Sequence, residues 1–473
     1  MKHIYITTTL PYVNAKPHIG FALEIVQADA WVRTQRALGD EVVFNTGTDE
    51  HGQKIHDKAI EAGIETQAYT DKFAQQFDNL KQSLNLSYTN FLRTTNPDHK
   101  KAAQEIWRRC LANGDIYKKM YQAKYCVGCE LMKTDSELVD GRCPIHPNMD
   151  IQLIEEENYF FRFSAYSDKL LKYYDENPEF VKPDFRLQEI RNFVAAGLED
   201  FSISRLKSKM PWGVAVPDDE DHVMYVWFDA LVSYISTLGW PTDEAKFNTY
   251  WPGIQVAGKD NLRQQSAMWQ AMLMSAQLPP SKQIFIHGFI TVNGQKMSKS
   301  LGNVIDPFDM VETYGTDAVR YYLLREIPAL DDGDFTIERM EQVYESDLAN
   351  ELGNLLSRVT TIAAKDKLVL DSKAEQTIDA KLVEQIGKFS FNEALEDIWK
   401  EVKKINKQVN EREPWKREAA DRKADLEGWL TTLHQIGVNL QPFMPETAEK
   451  ILAATSGTIE KCQPLFPRIE KKQ

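Results

Sequence analysis

The amino-acid sequence predicts an α/β protein whose doubly wound parallel sheet is split by an insertion and followed by an α-helical bundle. The first observation is a β/α unit: the strand-like run IYITT from Ile4, a helical segment over residues 17–38, and a second strand over 41–45. This alternation resumes in segments near Tyr225, Gln255 and Ile284. The sheet is therefore expected to be interrupted by the intervening segment and completed after it.

The second observation concerns the segments on either side of that resumption. Residues 115–220 are rich in Pro, Gly and Cys and contain aromatic strand-like runs such as NYFFRF, which predicts an insertion with its own fold. Beyond about Glu338 the apolar residues recur at steps of three and four, which is typical of packed helices. Two such stripes are Leu348, Leu352, Leu355, Val359 and Ile362, and Phe391, Leu395, Ile398, Val402, Ile405 and Val409.

Length and composition limit the class of protein. A chain of 473 residues with 42% hydrophobic and 27% charged residues is expected to form several globular domains, with no membrane span. The first residues lack the apolar core of a secretion signal, so a cytoplasmic location is expected. The net charge of −14 disfavours a nucleic-acid partner at first. However, the acidic excess lies in residues 1–390, and the segment from Phe391 onward carries equal numbers of acidic and basic residues.

The turn Pro17-His18-Ile19-Gly20 lies where the first predicted strand passes into the first helix. Backbone N–H groups and the positive end of the helix dipole converge there and favour an anion. Glycine allows a ligand to approach the backbone closely, and a histidine donor can stabilise charge that develops on a phosphate. A core histidine or an ordinary turn explains the motif equally well, so a second signal is needed.

That second signal is the run Lys296-Met297-Ser298-Lys299-Ser300, bracketed by Gly294 and Gly302. Its two lysines offer point charges to a polyphosphate, and the small flanking residues allow the loop to close. A solvated basic turn is the alternative. The run follows His18 by 278 positions across an interrupted sheet, and this combination favours a phosphate site built from both segments.

Three of the five cysteines lie close together in the predicted insertion. Cys126 and Cys129 form one C-x2-C pair, and Cys143 with His146 forms a C-x2-H pair. Three thiolates and one imidazole make a closed tetrahedral zinc site with no open position for a catalytic water. Scattered buried thiols are the alternative, which this spacing disfavours.

HIGF near the start and KMSKS late in the chain resemble the paired signatures of the class I aminoacyl-tRNA synthetases, and the resemblance extends over essentially the full length. Among that class the methionyl enzymes are the most similar, through TLPYVNAKPHIG, TGTDEHG, VWFDALVSY, GKD, HGFITVNGQKMSKS, LGNLLSR and EPW. Leucyl, isoleucyl and valyl enzymes carry a large editing insertion between the two signatures, for which this interval leaves little room. Cysteinyl enzymes place a zinc-binding cysteine beside the first signature, and none stands there.

The resemblance implies a Rossmann-like sheet in two halves, 1–112 and 223–290, separated by a zinc-bearing connective insertion at 113–222. A KMSKS loop with a stem-contact linker fold is expected at 291–345, and an anticodon-binding helical bundle at 346–473. The implied ligands are methionine, ATP with Mg²⁺, and tRNA(Met), together with one structural zinc ion. No membrane partner is expected, and the chain is expected to be a monomer. The implied reaction attaches methionine to its tRNA through methionyl-adenylate and releases pyrophosphate and AMP.

The resemblance also implies roles for individual positions. The reaction centre comprises His18, Asp49, Arg205, Lys296 and Lys299. The ATP site comprises His18, Gly20, Lys259, Asp260, His287, Gly288, Lys296, Ser298 and Lys299. The methionine pocket comprises Leu10, Tyr12, Asp49, Trp227, Ala230, Tyr234 and Gln265, and a thioether packs favourably against such aromatic walls. By residue pattern alone, these aromatics are equally well core residues, and Asp49 and Arg205 are solvated charges.

In the helical part, Asn354 and Arg358 are four positions apart and lie off the apolar stripe, so they share a polar face. The resemblance makes them anticodon-reading positions, together with Trp415, whose indole can stack on an unpaired base. A capping tryptophan is the alternative for Trp415.

Two residues depart from the family pattern. Phe21 stands where most members of the class have a second histidine, and Gln265 stands where methionyl enzymes commonly have one. Because both signature lysines, His18, Asp49 and Arg205 are retained, an active enzyme is expected. The alternatives are a non-catalytic synthetase-like paralogue and a synthetase for another apolar amino acid.

Overall fold

The computed structural model describes residues 1–133, 137–297, 301–370 and 377–469, and it is organised around a parallel sheet of six strands. The strands are β1 His3–Thr8, β2 Glu41–Thr48, β3 Asn90–Arg93, β4 Val181–Lys182, β5 Ile254–Gly258 and β6 Gln283–His287. Their spatial order is β3-β2-β1-β5-β6-β4, and every neighbouring pair is parallel. The strand order reverses between β1 and β5, so ligands are expected to bind at the carboxyl ends of these two strands.

The sheet separates two hydrophobic cores. Side chains alternate along each strand, so Tyr5 and Ile284 enter one core while their neighbours Ile6 and Phe285 enter the other. The first core also contains Trp107 and Trp269, and the second continues into the C-terminal helices. The predicted doubly wound sheet is confirmed.

Helices cover both faces. Those after β1 to β3 are Ile19–Ala37, Gln53–Glu61, Thr66–Asp78, Leu80–Ser83 and Pro97–Ala112. Those around β5 are Val226–Ala230, Ser233–Ser236, Glu244–Tyr250 and Trp269–Ser275, with a 3-10 turn at Lys259–Asn261 and a π-helical turn at Gln264–Met268. The alternation predicted near Tyr225 is present as the strand Asp219–Met224 followed by the short helices. The run after Tyr225 is almost entirely buried, and its periodicity does not distinguish a buried strand from a buried helix.

The insertion carries two small sheets. One is antiparallel in the order Leu131–Lys133, Ile116–Cys126, Gln152–Phe161, Phe201–Ser202, and the other runs Ala215–Val216, Asp219–Met224, Ser204–Leu206. Its helices are Ser167–Glu176 and Asp184–Ala195, with a 3-10 turn at Phe163–Tyr166. Strand β4 also arises from this segment, so the insertion supplies one edge of the central sheet.

The C-terminal part begins with a small sheet in the order Gln295–Lys296, Ile290–Val292, Gly333–Phe335. Its helices are Pro307–Tyr314, Thr316–Arg325, Ile337–Val343, Asn354–Lys365, Ala380–Gly387, Phe391–Arg412, Ala419–Leu440 and Pro445–Ala454, with a π-helical segment at Tyr344–Gly353 and a 3-10 turn at Pro414–Lys416. Strands Val369–Leu370 and Gly457–Thr458 pair across the bundle. Both predicted stripes are buried, apart from the half-buried Ile362. None of the described helices has the length and hydropathy that a membrane crossing requires.

A buried arginine connects the C-terminal helices to the first helix of the sheet domain. The Arg320 guanidinium pairs with Asp29 at 2.8 Å and donates to the carbonyl oxygens of Leu84, Pro442 and Phe443. These contacts join the first helix, the linker and the end of the bundle, so the buried charge is compensated.

Candidate active site

The first phosphate-site residue, His18, caps the helix Ile19–Ala37. Its Nδ1 accepts a hydrogen bond from the Gly20 backbone N–H at 3.1 Å, which leaves Nε2 to carry the ring proton. Partial desolvation by the surrounding protein lowers the pKa of His18, so the ring is a neutral donor at physiological pH. A Cβ on Gly20 would lie 3.0 Å from the His18 ring and 3.3 Å from Met297, which explains the need for glycine. Met297 belongs to the late signature, so the two signatures meet here.

The late signature also contributes Lys296, at the end of the hairpin Ile290–Val292 and Gln295–Lys296. The ammonium groups of Lys296 and Lys259 both lie over the Phe289 ring, at 5.7 and 4.5 Å from its centroid. Lys259 also pairs with Asp332 at 2.6 Å. Two cations therefore converge beyond the ends of β5 and β6. Ser298 and Lys299, which were predicted in the same site, lie outside the described residues.

A buried ion pair joins Glu24 of the first helix to His287 at the end of β6. The Glu24 carboxylate accepts from the backbone and hydroxyl of Thr9, at 2.7 and 2.6 Å, and contacts His287 Nε2 at 2.8 Å. Burial lowers the pKa of His287, but the bond to Glu24 outweighs it and the net pKa is raised. His287 Nδ1 donates to the Gly288 carbonyl oxygen, so the ring is protonated and oriented. A Cβ on Gly258 would lie 2.8 Å from Asp260 and 3.6 Å from the His287 ring, so these predicted residues lie close together.

Asp49 lies just beyond β2 and is only 7% exposed. Its backbone pairs with the segment after β1, through Asp49 N–H to the Pro11 carbonyl and Val13 N–H to the Asp49 carbonyl. Carboxylate oxygen Oδ1 has no hydrogen-bond partner within the described residues. Burial, followed by the negative charges of Asp229 and Glu130, raises the pKa of Asp49 well above its usual value. The nearby Asp229 is already bonded to His51 at 3.1 Å. Asp49 is thus a buried acid whose Oδ1 is available to a ligand.

Tyr12 follows β1 and faces Glu130 of the insertion. Its hydroxyl donates to Glu130 Oε1 at 2.5 Å, and the Lys54 backbone N–H donates to the same oxygen at 3.1 Å. Burial raises the pKa of Glu130 to about 7. Glu130 was not among the predicted site residues.

Gln265, which replaces the histidine common in methionyl enzymes, belongs to a network of buried hydrogen bonds. Gln265 donates to the Tyr234 hydroxyl, and its amide oxygen accepts from Gln255 at 3.0 Å. Gln255 in turn accepts from the Ser281 hydroxyl at 2.8 Å. Gln265 therefore has donor and acceptor partners, and it fixes the hydroxyl of a predicted pocket residue.

The remaining predicted pocket residues are Leu10, Trp227 and Ala230. Ala230 is buried, and Leu10 is half-buried against the core that contains Tyr234. The Trp227 indole nitrogen is buried and, among the described residues, has no hydrogen-bond partner. These side chains come from the segments that follow β1 and precede β5.

Arg205 enters the same region from the insertion. Its guanidinium lies between the rings of Tyr125 and Tyr225, at 5.1 and 4.6 Å from their centroids. One nitrogen donates to Ser202 and to the Ser204 carbonyl oxygen, at 2.9 and 2.7 Å. The other nitrogen, Nη2, is buried and has no partner in the part of the chain that is described. Like Asp49 Oδ1, it is a buried polar atom with an unused hydrogen-bonding position.

The predicted metal ligands Cys126, Cys129, Cys143 and His146 form a compact cluster. Their ligand atoms all lie within 4.8 Å of one another, with Cys129 Sγ 3.4 Å from Cys143 Sγ and 3.2 Å from His146 Nδ1. Tetrahedral zinc with bonds of about 2.3 Å separates sulfur ligands by about 3.8 Å, so the donor set and spacing fit zinc. The structure therefore contains a cluster that could hold a metal ion.

The three predicted anticodon residues lie on the surface of the bundle. Arg358 stacks on Trp415 with its guanidinium 5.2 Å from the ring centroid and donates to Asn410 at 2.9 Å. Trp415 is 48% exposed, and Asn354, one helical turn before Arg358, is exposed. A cation and a flat aromatic surface are thus available to solvent.

Phe21, the other departure, packs against the hydrophobic core. Its ring packs edge to face on Phe77 with the centroids 5.3 Å apart, at the margin of the core shared with the bundle. Position 21 is therefore a packing position in this chain.

Sequence reasoning missed Glu24, Glu130, Gln255 and Asp332. Glu24 did carry a signal, because it is the one acid within the apolar run IGFALEIV, and Glu130 directly follows a predicted ligand. The partners of the other two, Ser281 for Gln255 and Lys259 for Asp332, come from other segments of the chain, so their roles depend on the tertiary fold.

Known proteins with similar sequences and structures belong to one family of tRNA synthetases. The family model described as tRNA synthetases class I (M) matches residues 4–151 and 147–360. A methionine–tRNA ligase of Caldanaerobacter subterraneus subsp. tengcongensis is 43% identical over 95% of this chain and 73% of its own length. The corresponding ligase of Thermotoga maritima is 40% identical over 99% of this chain and 80% of its own length. The solved structure of Mycobacterium tuberculosis methionyl-tRNA synthetase in complex with methionyl-adenylate superposes with a TM-score of 0.91 at 38% identity, covering 99% of this chain and 100% of that one.

Proposed function

The chain belongs to the class I tRNA synthetases and, among them, to the methionine–tRNA ligases, and we propose that it activates methionine with ATP and transfers it to tRNA at the site described above. The observation that carries this proposal is the arrangement of complementary charges at the carboxyl ends of β1, β2, β5 and β6. On one side lies a buried acid, Asp49, whose Oδ1 has no partner among the described residues, and on the other lie His18 and the two cations Lys259 and Lys296. A zwitterionic amino acid and a polyphosphate require this combination.

In the binding step, the Asp49 carboxylate pairs with the ammonium group of methionine. The side chain enters the pocket formed by Leu10, Tyr12, Trp227, Ala230 and Tyr234, and the hydroxyl of Tyr234 is fixed by Gln265. Trp227 and Tyr234 offer aromatic surface to a polarizable thioether. Size and polarizability together favour methionine over shorter or branched side chains.

In the activation step, a carboxylate oxygen of methionine attacks the α-phosphorus of ATP, and pyrophosphate leaves. His18 donates a hydrogen bond from its Nε2–H to a phosphate oxygen, while Lys296, Lys299 and Lys259 neutralise the polyphosphate. Arg205, with its free Nη2, lies on the insertion side and is assigned to the charge that develops at the reacting groups. Catalysis is positioning and charge stabilisation, with no covalent enzyme intermediate.

In the transfer step, a hydroxyl of the terminal ribose of tRNA attacks the acyl carbon, and AMP leaves. The surface of Asn354, Arg358 and Trp415 is proposed to read the anticodon, because an exposed indole stacked with a guanidinium offers both stacking and hydrogen bonds to an unpaired base. Specificity for tRNA(Met) follows from this surface.

Two metal ions accompany the proposal. Zinc is proposed to be held by Cys126, Cys129, Cys143 and His146, where a closed set of four ligands supplies structural stability and no open position. Mg²⁺ is proposed to enter with ATP as the salt of the polyphosphate. We also propose a cytoplasmic location and a monomeric state. Sedimentation of the purified chain at several concentrations tests the monomeric state.

The test of the function is amino-acid-dependent exchange between pyrophosphate and ATP, measured with each standard amino acid in turn. Exchange with methionine alone is the expected result. Absence of exchange with every amino acid would overturn the enzymatic proposal and favour a non-catalytic paralogue. Exchange with a different amino acid in place of methionine would overturn only the substrate.

A further inference from the structure

Glu130 combines two features that are unfavourable in isolation. Its backbone has a φ of 51°, in the left-handed region that side chains other than glycine and asparagine rarely occupy. Its side chain is only 5% exposed although it carries a carboxyl group. A strained and buried acid persists where its contacts hold it in place, and such positions cluster at functional sites.

Those contacts join the metal knuckle to the first half of the sheet domain. Oε1 accepts from the Tyr12 hydroxyl at 2.5 Å and from the Lys54 backbone N–H at 3.1 Å. The Lys54 ammonium returns to the knuckle and donates to the Gly128 carbonyl oxygen at 3.3 Å. A Cβ on Gly52 would lie 2.5 Å from the Tyr12 hydroxyl and 2.8 Å from Glu130 Oε2, so the contact requires glycine there.

Tyr12 is also tied to the acid of the methionine site. The residues that flank it, Pro11 and Val13, form backbone hydrogen bonds with Asp49. Tyr12 and Asp49 are therefore partners in a parallel bridge, and their side chains lie next to each other on the same face. The backbone of Tyr12 is fixed by Asp49, and the free end of its side chain is held by Glu130. The position of the ring therefore depends on both ends.

We propose that Glu130 is a positioning residue for methionine: from the metal knuckle it holds the Tyr12 hydroxyl and so keeps that ring on the wall of the methionine pocket. This inference rests on the proposed methionine-activating function. It assigns to the insertion a role in amino-acid binding, in addition to the metal ligands that it carries.

The proposal distinguishes methionine from ATP. Loss of a hydrogen bond to a charged acceptor frees the Tyr12 ring, so Glu130→Ala is expected to raise KM for methionine about tenfold. KM for ATP is expected to stay within about twofold, because the phosphate groups contact residues at the other end of the site. Glu130→Gln retains an oxygen that can accept from both Tyr12 and Lys54, so it is expected to restore KM for methionine to within about threefold.

The test is pyrophosphate exchange with the full-length chain, using Glu130→Ala, Glu130→Gln, Tyr12→Phe and the double variant Glu130→Ala with Tyr12→Phe. If Glu130 acts through the Tyr12 hydroxyl, the double variant is no worse than the more impaired single variant. Glu155→Ala, which removes an exposed acid from the same insertion sheet, is the matched control and is expected to leave both KM values unchanged. Zinc content, measured by metal analysis, is expected to be the same in all variants.

Three results would overturn the proposal: equal increases in KM for methionine and ATP, additive effects in the double variant, or a Gln variant as impaired as the Ala variant. Loss of zinc from Glu130→Ala would also overturn it, because the effect would then arise from collapse of the knuckle. If Glu130→Ala does not fold, Glu130→Gln and Tyr12→Phe decide the question, and an unchanged KM for methionine in Tyr12→Phe contradicts the proposal. Failure of the unaltered chain to exchange with methionine refutes the proposed function instead.

Discussion

Asp49→Asn is the substitution that tests the methionine site most directly. The residue is 7% exposed, and Oδ1 has no partner among the described groups, so the carboxylate is available to the substrate ammonium group. The neighbouring acids do not replace it, since Asp229 is bonded to His51 at 3.1 Å and Glu130 to Tyr12 at 2.5 Å. Asparagine keeps the volume of the side chain and removes the negative charge.

The expected loss follows from the burial of this pair. Breaking a buried ion pair by removing one partner costs about 3 to 5 kcal/mol, because the other charge stays buried and uncompensated. At about 1.4 kcal/mol for each factor of ten, KM for methionine is expected to rise by at least about a hundredfold. KM for ATP is expected to change little.

The stability of the free protein is expected to change in the opposite direction. Burial and the charges of Asp229 and Glu130 raise the pKa of Asp49, so the folded state disfavours its ionised form at neutral pH. Removing that charge is expected to raise the free energy of unfolding by about 1 kcal/mol or more.

The measurements are methionine- and ATP-dependent pyrophosphate exchange, together with denaturant unfolding monitored by fluorescence. Asp140→Asn, at an exposed position in the insertion, is the matched control and is expected to alter neither quantity. An unchanged KM for methionine in Asp49→Asn would refute the assignment of Asp49 to the ammonium group. A lower stability would refute the claim that the free carboxylate is uncompensated.

The same raised pKa predicts the pH dependence of methionine binding. An ammonium ligand binds the ionised carboxylate, so KM for methionine is expected to rise as the pH falls through the raised pKa of Asp49 in the free enzyme. The contribution of Asp49 to folding has the opposite sign: stability is greatest where the carboxyl is protonated and decreases as the pH rises through that pKa. Exchange assays from pH 5 to pH 8, a range of about 3 units that spans the usual working pH of proteins, check this, and Asp49→Asn is expected to lose the dependence.

Three further substitutions separate the remaining parts of the molecule. Gly20→Ala places a Cβ 3.0 Å from the capping imidazole and is expected to reduce the exchange rate at least about tenfold; Gly428→Ala, whose Cβ meets no atom within 4 Å, is expected to retain activity and to gain ~0.5 to 1 kcal/mol in stability. Phe21→His loses the edge-to-face contact with Phe77 and is expected to lower the free energy of unfolding by about 1 kcal/mol without improving KM for ATP; an improved KM would show that the ring reaches the nucleotide. Trp415→Ala is expected to leave pyrophosphate exchange unchanged and to raise KM for tRNA about tenfold or more, from ~1 to 3 kcal/mol of lost stacking, and normal charging would contradict the proposed anticodon surface.

The departures from the family pattern show where sequence reasoning needed the structure. Gln265 stands where methionyl enzymes commonly have a histidine. Its amide donates to Tyr234 and accepts from Gln255, so both of its polar atoms have hydrogen-bond partners. Phe21 packs on Phe77, so its position has become part of the core. The missing histidines could be read from the sequence, whereas the groups that now surround these positions could not.

The sequence by itself determined the parallel sheet, the helical stripes and the four ligands of the metal cluster, because each depends on periodicity or on a short spacing along the chain. It did not determine that the run after Tyr225 forms helices, or that the insertion contributes β4 to the central sheet. Nor did it determine that Glu130 meets Tyr12 across 118 positions, or that Asp49 Oδ1 is left without a hydrogen-bond partner among the described residues. Burial, charge and hydrogen bonding at these positions come from segments far apart in the chain, and only the tertiary structure brings them together.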